Sequence, residues 1–203
     1  MKKLLLTTAA VVALSSSNAF ATESDFYVKA NGGASMVQKL GSFKKETTGI
    51  ATIGFGYNVM ENLRADLTID HLFKPTLKGS DNNLTTGNKL ELKANSLLVN
   101  MYADIYDAGM AKIFVGAGIG AAKISGDLKG VTVATDTIPA KPFKTKVKSK
   151  TNFSYALHAG VSAEIDHDMH AELAYSFKDF GKFKNVDKDV RAHNITAGIR
   201  FDI

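Results

Sequence analysis

From Phe26 to Ile203, apolar and polar positions alternate with a period of two in eight runs of about ten residues, the length a tilted strand needs to cross a bilayer. The third run is the plainest: Leu63, Ala65, Leu67 and Ile69 alternate with Arg64, Asp66, Thr68 and Asp70. On a helix those charges would fall all round, whereas on a strand they share one face. The first run sets Phe26, Val28 and Ala30 against Tyr27, Lys29 and Asn31, and the second sets Ala51, Ile53, Phe55 and Tyr57 against Thr52, Gly54 and Gly56. Runs five to eight follow suit from Ile113, Phe153, Ala171 and Ile195. The fourth, Leu90 to Ala103, departs from the rule. Leu97, Val99, Met101 and Ala103 share a face, but Leu90 and Leu92 have the opposite parity, which predicts a bulge near Asn95 or an upper half standing above the membrane.

The connectors alternate long and short, and the short ones are 58–62, 104–110 and 166–169. A soluble sandwich has no reason to sort its loops this way, whereas a membrane barrel with tight turns at one rim and long loops at the other does. The expected fold is all-β, an eight-stranded antiparallel up-and-down transmembrane β-barrel. Before it, Met1-Lys2-Lys3, the apolar Leu4 to Leu14 and Ala19-Phe20-Ala21 have the three parts of a cleavable signal peptide, so residues 1–21 read as leader and 22–203 as barrel domain. Export without any cysteine fits a bacterial periplasm or outer membrane, and the lack of cysteine removes disulfide scaffolds, thiol nucleophiles and Cys-type metal sites.

Charge separates by side. The chain is +5 overall and +3 without Lys2 and Lys3, yet the four long connectors together carry about +9 by this reading and the three turns about −5. Loop three, Ser125 to Lys150, is the most basic, with Lys141, Lys144, Lys146, Lys148 and Lys150 recurring almost every second residue. In an extended strand the last four would share a face. That pattern suits a solvated rim against outer-membrane lipid phosphates, or a patch for sulfated glycans or an acidic segment of a host-cell or serum protein. Nucleic acid is a poor partner for a membrane rim.

Inward charges must find partners, since eight strands leave a lumen just wide enough for side chains. Arg64, Asp66, Asp70, Glu164, Glu172, Lys178 and Arg200 are expected to meet there as an ion-pair network. The histidines His71, His158, His167, His170 and His193 form no hydrolase or metal-binding motif, so no catalytic residue, metal or cofactor is expected. Gly116-Ala117-Gly118-Ile119-Gly120 superficially matches a dinucleotide loop, but no helix follows it; small inward residues that make room for bulky neighbours across the lumen are the simpler reading.

Taken in order, Phe26-Tyr27-Val28-Lys29, Asn62-Leu63-Arg64-Ala65-Asp66-Leu67, the glycine-alternating 115–120 run, Ala171-Glu172-Leu173-Ala174-Tyr175-Ser176-Phe177 and the closing 193–201 strand resemble the opacity-type outer-membrane β-barrel family, which includes the membrane domain of the OmpA-type proteins. Within it the chain is most similar to the small lysine-rich adhesins described in rickettsiae. The resemblance implies an outer-membrane surface protein that attaches to host-cell or serum proteins. The alternatives are a structural barrel without a dedicated ligand and a lipid-modifying barrel enzyme. Such chains usually end in an aromatic residue read by the barrel-assembly machinery; here Phe201 stands two before Ile203.

Overall fold

The computed structural model describes residues 26–38, 45–73, 75–78, 85–132, 142–182 and 189–203. The expected leader and Lys141 lie outside these residues. Nine strands are present: β1 (Phe26–Val37), β2 (Glu46–Met60), β3 (Leu63–Leu72), β4 (Thr76–Lys78), β5 (Thr85–Asp107), β6 (Ala111–Thr132), β7 (Pro142–Asp166), β8 (Met169–Lys182) and β9 (Asp189–Asp202). Each long strand pairs antiparallel with its chain neighbours, β1 pairs with β9, and pairing of β3 with β5 closes a ring of eight.

The short β4 continues the line of β3 along the same edge of β5, with Leu77 opposite Leu90 where Leu72 lies opposite Ala94. Pro75 interrupts the line because it has no N–H to give to a ladder, although its carbonyl still accepts from Leu92 N–H. The turns at the opposite end are tighter than expected. Only Glu61 and Asn62, Ala108 to Met110, and His167 and Asp168 lie between strands there, and Gly109 supplies the positive φ of 83° that its turn requires.

Alternation sorts the barrel wall as the chain pattern requires. Val28, Ile53, Phe55, Leu67, Val99, Ile119, Phe153, Leu157, Leu173 and Ile195 all stand on the outside, with Phe153 67% exposed and Ile195 62%. A continuous apolar belt of this kind is unfavourable in water and favourable in lipid. Because ring closure pairs the strands without a free edge inside the membrane, the folded barrel should survive cold detergent. Unheated and boiled samples should therefore migrate differently on a denaturing gel, and identical migration would count against the closed ring.

The interior has two layers. Toward the tight turns it is polar and charged. Toward the other end it is an apolar core of Val37, Ile50, Leu72, Leu77, Leu90, Leu92, Ala94, Ala122, Ile124, Phe180, Val190 and Ala192, with Leu128 packed against it. This resolves the anomaly of the fourth run. Register on β5 is unbroken from Lys89 to Asp104 against β6, so no bulge exists near Asn95 and the buried Leu90 and Leu92 belong to the upper half.

Small residues make the lower layer fit, but the bulky partner sits on the adjacent strand rather than across the lumen. Tyr27 lies flat over Gly56, opposite it in register, and Tyr102 over Gly116; a Cβ on Gly56 would fall 2.2 Å from the Tyr27 ring and one on Gly116 2.4 Å from the Tyr102 ring.

Loop three corrects the expectation. Residues 125–150 are mostly strand, since β6 runs on to Thr132 and β7 begins at Pro142. The sequence reading placed these residues in a connector, although Phe143-Lys144-Thr145-Lys146-Val147 alternates as a strand does. Strands β5, β6 and β7, of 23, 22 and 25 residues, thus rise above the apolar belt as one projecting sheet, joined by β4.

Candidate functional site

In the polar layer, strands that are not neighbours in the ring deliver carboxylates and cations to the same level. Lys29 Nζ of β1 lies 2.5 Å from Asp66 Oδ2 of β3. Asp66 also accepts from Tyr27 Oη at 3.1 Å and from Asn100 Nδ2 at 2.7 Å. One level up, Lys178 Nζ is 2.6 Å from Asp70 Oδ1, and the hydroxyls of Thr52 and Ser96 donate to the same carboxylate at 2.6 and 2.7 Å. Every oxygen of Asp70 is thereby answered.

Nearer the turns, Arg64 spans Glu172 at 3.5 Å and Asp104 at 3.7 Å, its guanidinium 4.6 Å from the Phe114 ring centroid. Arg200 reaches Glu172 at 3.9 Å and Asp202 at 3.2 Å, and His170 Nε2 lies 2.9 Å from the other Asp202 oxygen. A residual cavity of about 30 Å³, lined by Lys29, Tyr102, His158, Glu172 and Lys178 among others, has room for about one water. Above it sits the apolar core.

Six of the seven expected lumen residues are here: Arg64, Asp66, Asp70, Glu172, Lys178 and Arg200 are all buried. Glu164 is the correction. It has the inward parity, but it pairs with His170 next to a register break before the β7–β8 turn, at the open mouth, and is exposed. Lys29, Asp104 and Asp202 were missed. Lys29 shares the parity of Tyr27 and Asn31, which was the available signal; Asp104 had been counted with an acidic turn.

The projecting sheet carries the second set. Lys144, Lys146, Lys148 and Lys150 are all exposed, but they do not share one face. A bulge between the Ile124–Lys150 and Gly126–Val147 pairs shifts the phase, so Lys144 and Lys146 lie on the outer face opposite Lys129 and Asp127, while Lys150 is opposite the buried Ile124. The outer face is partly neutralised across strands. Lys144 Nζ is 3.5 Å from Asp127, and Lys129 is hydrogen-bonded to Glu91, which holds that carboxyl below the usual carboxylate range. Lys146, Lys148 and Lys150 have no ion pair among the described residues. Nor do those residues include a group of three His, Asp or Glu side chains able to hold a metal.

A closed eight-stranded ring with a lipid-facing belt, a filled lumen and a sheet projecting from one rim defines a small integral barrel of the bacterial outer membrane. The outer membrane protein beta-barrel domain family model matches residues 6–201, and the chain belongs to that family. It is 36% identical to a protein of Rickettsia conorii named "Putative adhesin", with both chains covered in full, and 36% identical to one of the same name in Rickettsia felis, again over all of both. Among solved structures, Neisserial surface protein A superposes with a TM-score of 0.64 at 20% identity, covering 90% of this chain and all of that one. The Ail attachment invasion locus protein of Yersinia pestis gives 0.50 at 14% identity, over 89% of this chain and all of Ail.

Proposed function

We propose that this barrel is a surface adhesin that attaches to host-cell or serum proteins, or to their sulfated glycans, through the basic sheet formed by β4 to β7. The observation that carries the reading is the run of exposed lysines on β7, three of them without an ion pair among the described residues, held on strands that extend above the apolar belt. Free cations are there for a partner to neutralise. The full-length relatives named as adhesins support the same reading. On this reading the buried lumen network is structural: Lys29 pairs with Asp66 and Lys178 with Asp70 inside the wall, and the apolar core lies above them.

Lys144, Lys146, Lys148 and Lys150 replaced together by Gln should weaken binding of host proteins to whole cells by about tenfold or more, equal to about 1.4 kcal/mol. Raising salt should weaken the wild type in the same direction, since at physiological ionic strength exposed charges act over only about 8 Å. Binding indifferent to both changes would remove the basic sheet as the adhesive surface. Equal attachment by cells with and without the protein would instead leave a structural barrel.

A further inference from the structure

On the outer wall of β3, β5, β6 and β7, one step of the alternation changes a whole row. Ile69, Leu97, Ala121 and Phe153 lie opposite one another in register and are all exposed, so that row is apolar from end to end. The next outward row, about 7 Å nearer the projecting sheet, is His71, Asn95, Lys123 and Thr151, again in register and all exposed. All four of these side chains are polar. The belt that meets hydrocarbon ends between the two rows, so the layer beside the second row holds lipid headgroups.

Two exposed lysines stand at this boundary with no ion pair among the described residues, Lys123 and Lys93. Lys93 is the next outward residue above Asn95 on β5, and since Asn95 lies opposite Lys123, the two lysines are diagonal neighbours on adjacent strands. Such neighbours are about 7–8 Å apart, within the joint reach of two lysine stems, so both ammonium groups can close on one phosphate. By contrast, Arg191 of β9 is already answered, 2.8 Å from Asp179 and 3.0 Å from Asp189. His71 and Asn95 add a polar shelf. His71 Nδ1 and Asn95 Oδ1 are 2.6 Å apart, which leaves His71 Nε2 and the Asn95 amide for the hydroxyls of a headgroup. Directly below Lys123, the small Ala121 stands between Leu97 and Phe153 and leaves a notch in the apolar wall.

We infer that β5 and β6 bind a phosphorylated lipid of the outer leaflet here, its phosphate held between Lys93 and Lys123 and an acyl chain lying in the notch at Ala121. Charge spread round the rim would attract such lipids to every side; two unpaired cations on adjacent strands fix one lipid on one face. The site is separate from the lysines proposed for adhesion, so either reading can fail without the other.

The test uses folded full-length protein in neutral detergent micelles and fluorescent lipid A, a glycolipid with phosphate on its sugar headgroup. Beside it stand the same lipid after dephosphorylation and inorganic phosphate. Lipid A should bind saturably, and removal of its phosphate should weaken binding about tenfold or more, the size expected for two lysines at an anionic surface. Lys93→Gln with Lys123→Gln should lower lipid A to about the level of the dephosphorylated lipid. Lys112→Gln, near the tight turns where Lys112 pairs with Asp107, should stay within about twofold of the wild type. Ala121→Leu should weaken both lipids by filling the notch. Equal affinity of the wild type for the two lipids would overturn the proposal and leave a plain apolar coating of the belt, and that arm needs no variant. A double lysine variant that migrates as a folded barrel when unheated and still binds lipid A in full would also overturn it. Displacement of the lipid by an equal concentration of inorganic phosphate would make this a site for a free anion and overturn the lipid.

Discussion

Replacing Lys178 by Met should lower the stability of the folded barrel by about 3–5 kcal/mol, the largest loss expected from a single substitution in the lumen. Lys178 Nζ is the only cation bonded to Asp70 among the described residues, at 2.6 Å, and Asp70 is 1% exposed. Without it the carboxylate keeps the hydroxyls of Thr52 and Ser96 but has no bonded cation among the described residues. The double change Asp70→Asn with Lys178→Met should recover most of the loss, because a neutral amide still bonds to both hydroxyls and no charge is left buried. Urea unfolding in lipid vesicles, read by the fraction that resists heat-free denaturing electrophoresis, measures all three variants. A double mutant as unstable as Lys178→Met would show that the Lys178 side chain acts by packing rather than by charge.

Leu67→Arg should cost about 2–4 kcal/mol, because it places a cation against lipid near mid-depth. Leu67 lies on the outer wall between Phe55 of β2 and Val99 of β5, within the row that continues to Ile119 of β6. Its chain neighbour Thr68 is buried and accepts from Asn100 Nδ2 at 2.9 Å, so Thr68→Ser, which keeps the hydroxyl and loses one methyl, should stay within about 1 kcal/mol. The same unfolding measurement applies. Equal tolerance at the two adjacent positions would mean that the wall faces the other way.

Strand number, facing and membrane topology were legible because a period of two is a local signal. Leu67 and Thr68 could be assigned to opposite sides from the third run alone, and the same holds for Glu172 and Leu173 of β8. The upper barrel was not legible in this way. Leu90 and Leu92 announced a change of environment, but two explanations fitted the parity, and only the unbroken register against β6 separated them. The lysines of β7 were visible as a set, yet their division between faces depends on one bulge opposite Ser125, and nothing in the alternating lysines announces a bulge.

What the chain determined by itself is therefore what each strand can settle alone: which residues meet lipid, which meet the lumen, and where the tight turns fall, since all three follow from alternation and turn chemistry within a few residues. The tertiary structure decided which residues meet one another. Lys29 joins Asp66, Asp70 joins Lys178, and an apolar core rather than a polar one fills the upper lumen, because ring closure brings together strands far apart in the chain. It also decided how neighbouring strands are tied above the regular ladder: the β7–β8 pairing reaches Tyr155 opposite Asp179, and beyond it Ser154 Oγ donates to Asp179 O and Asn152 Nδ2 to Lys182 O, contacts that no local pattern records.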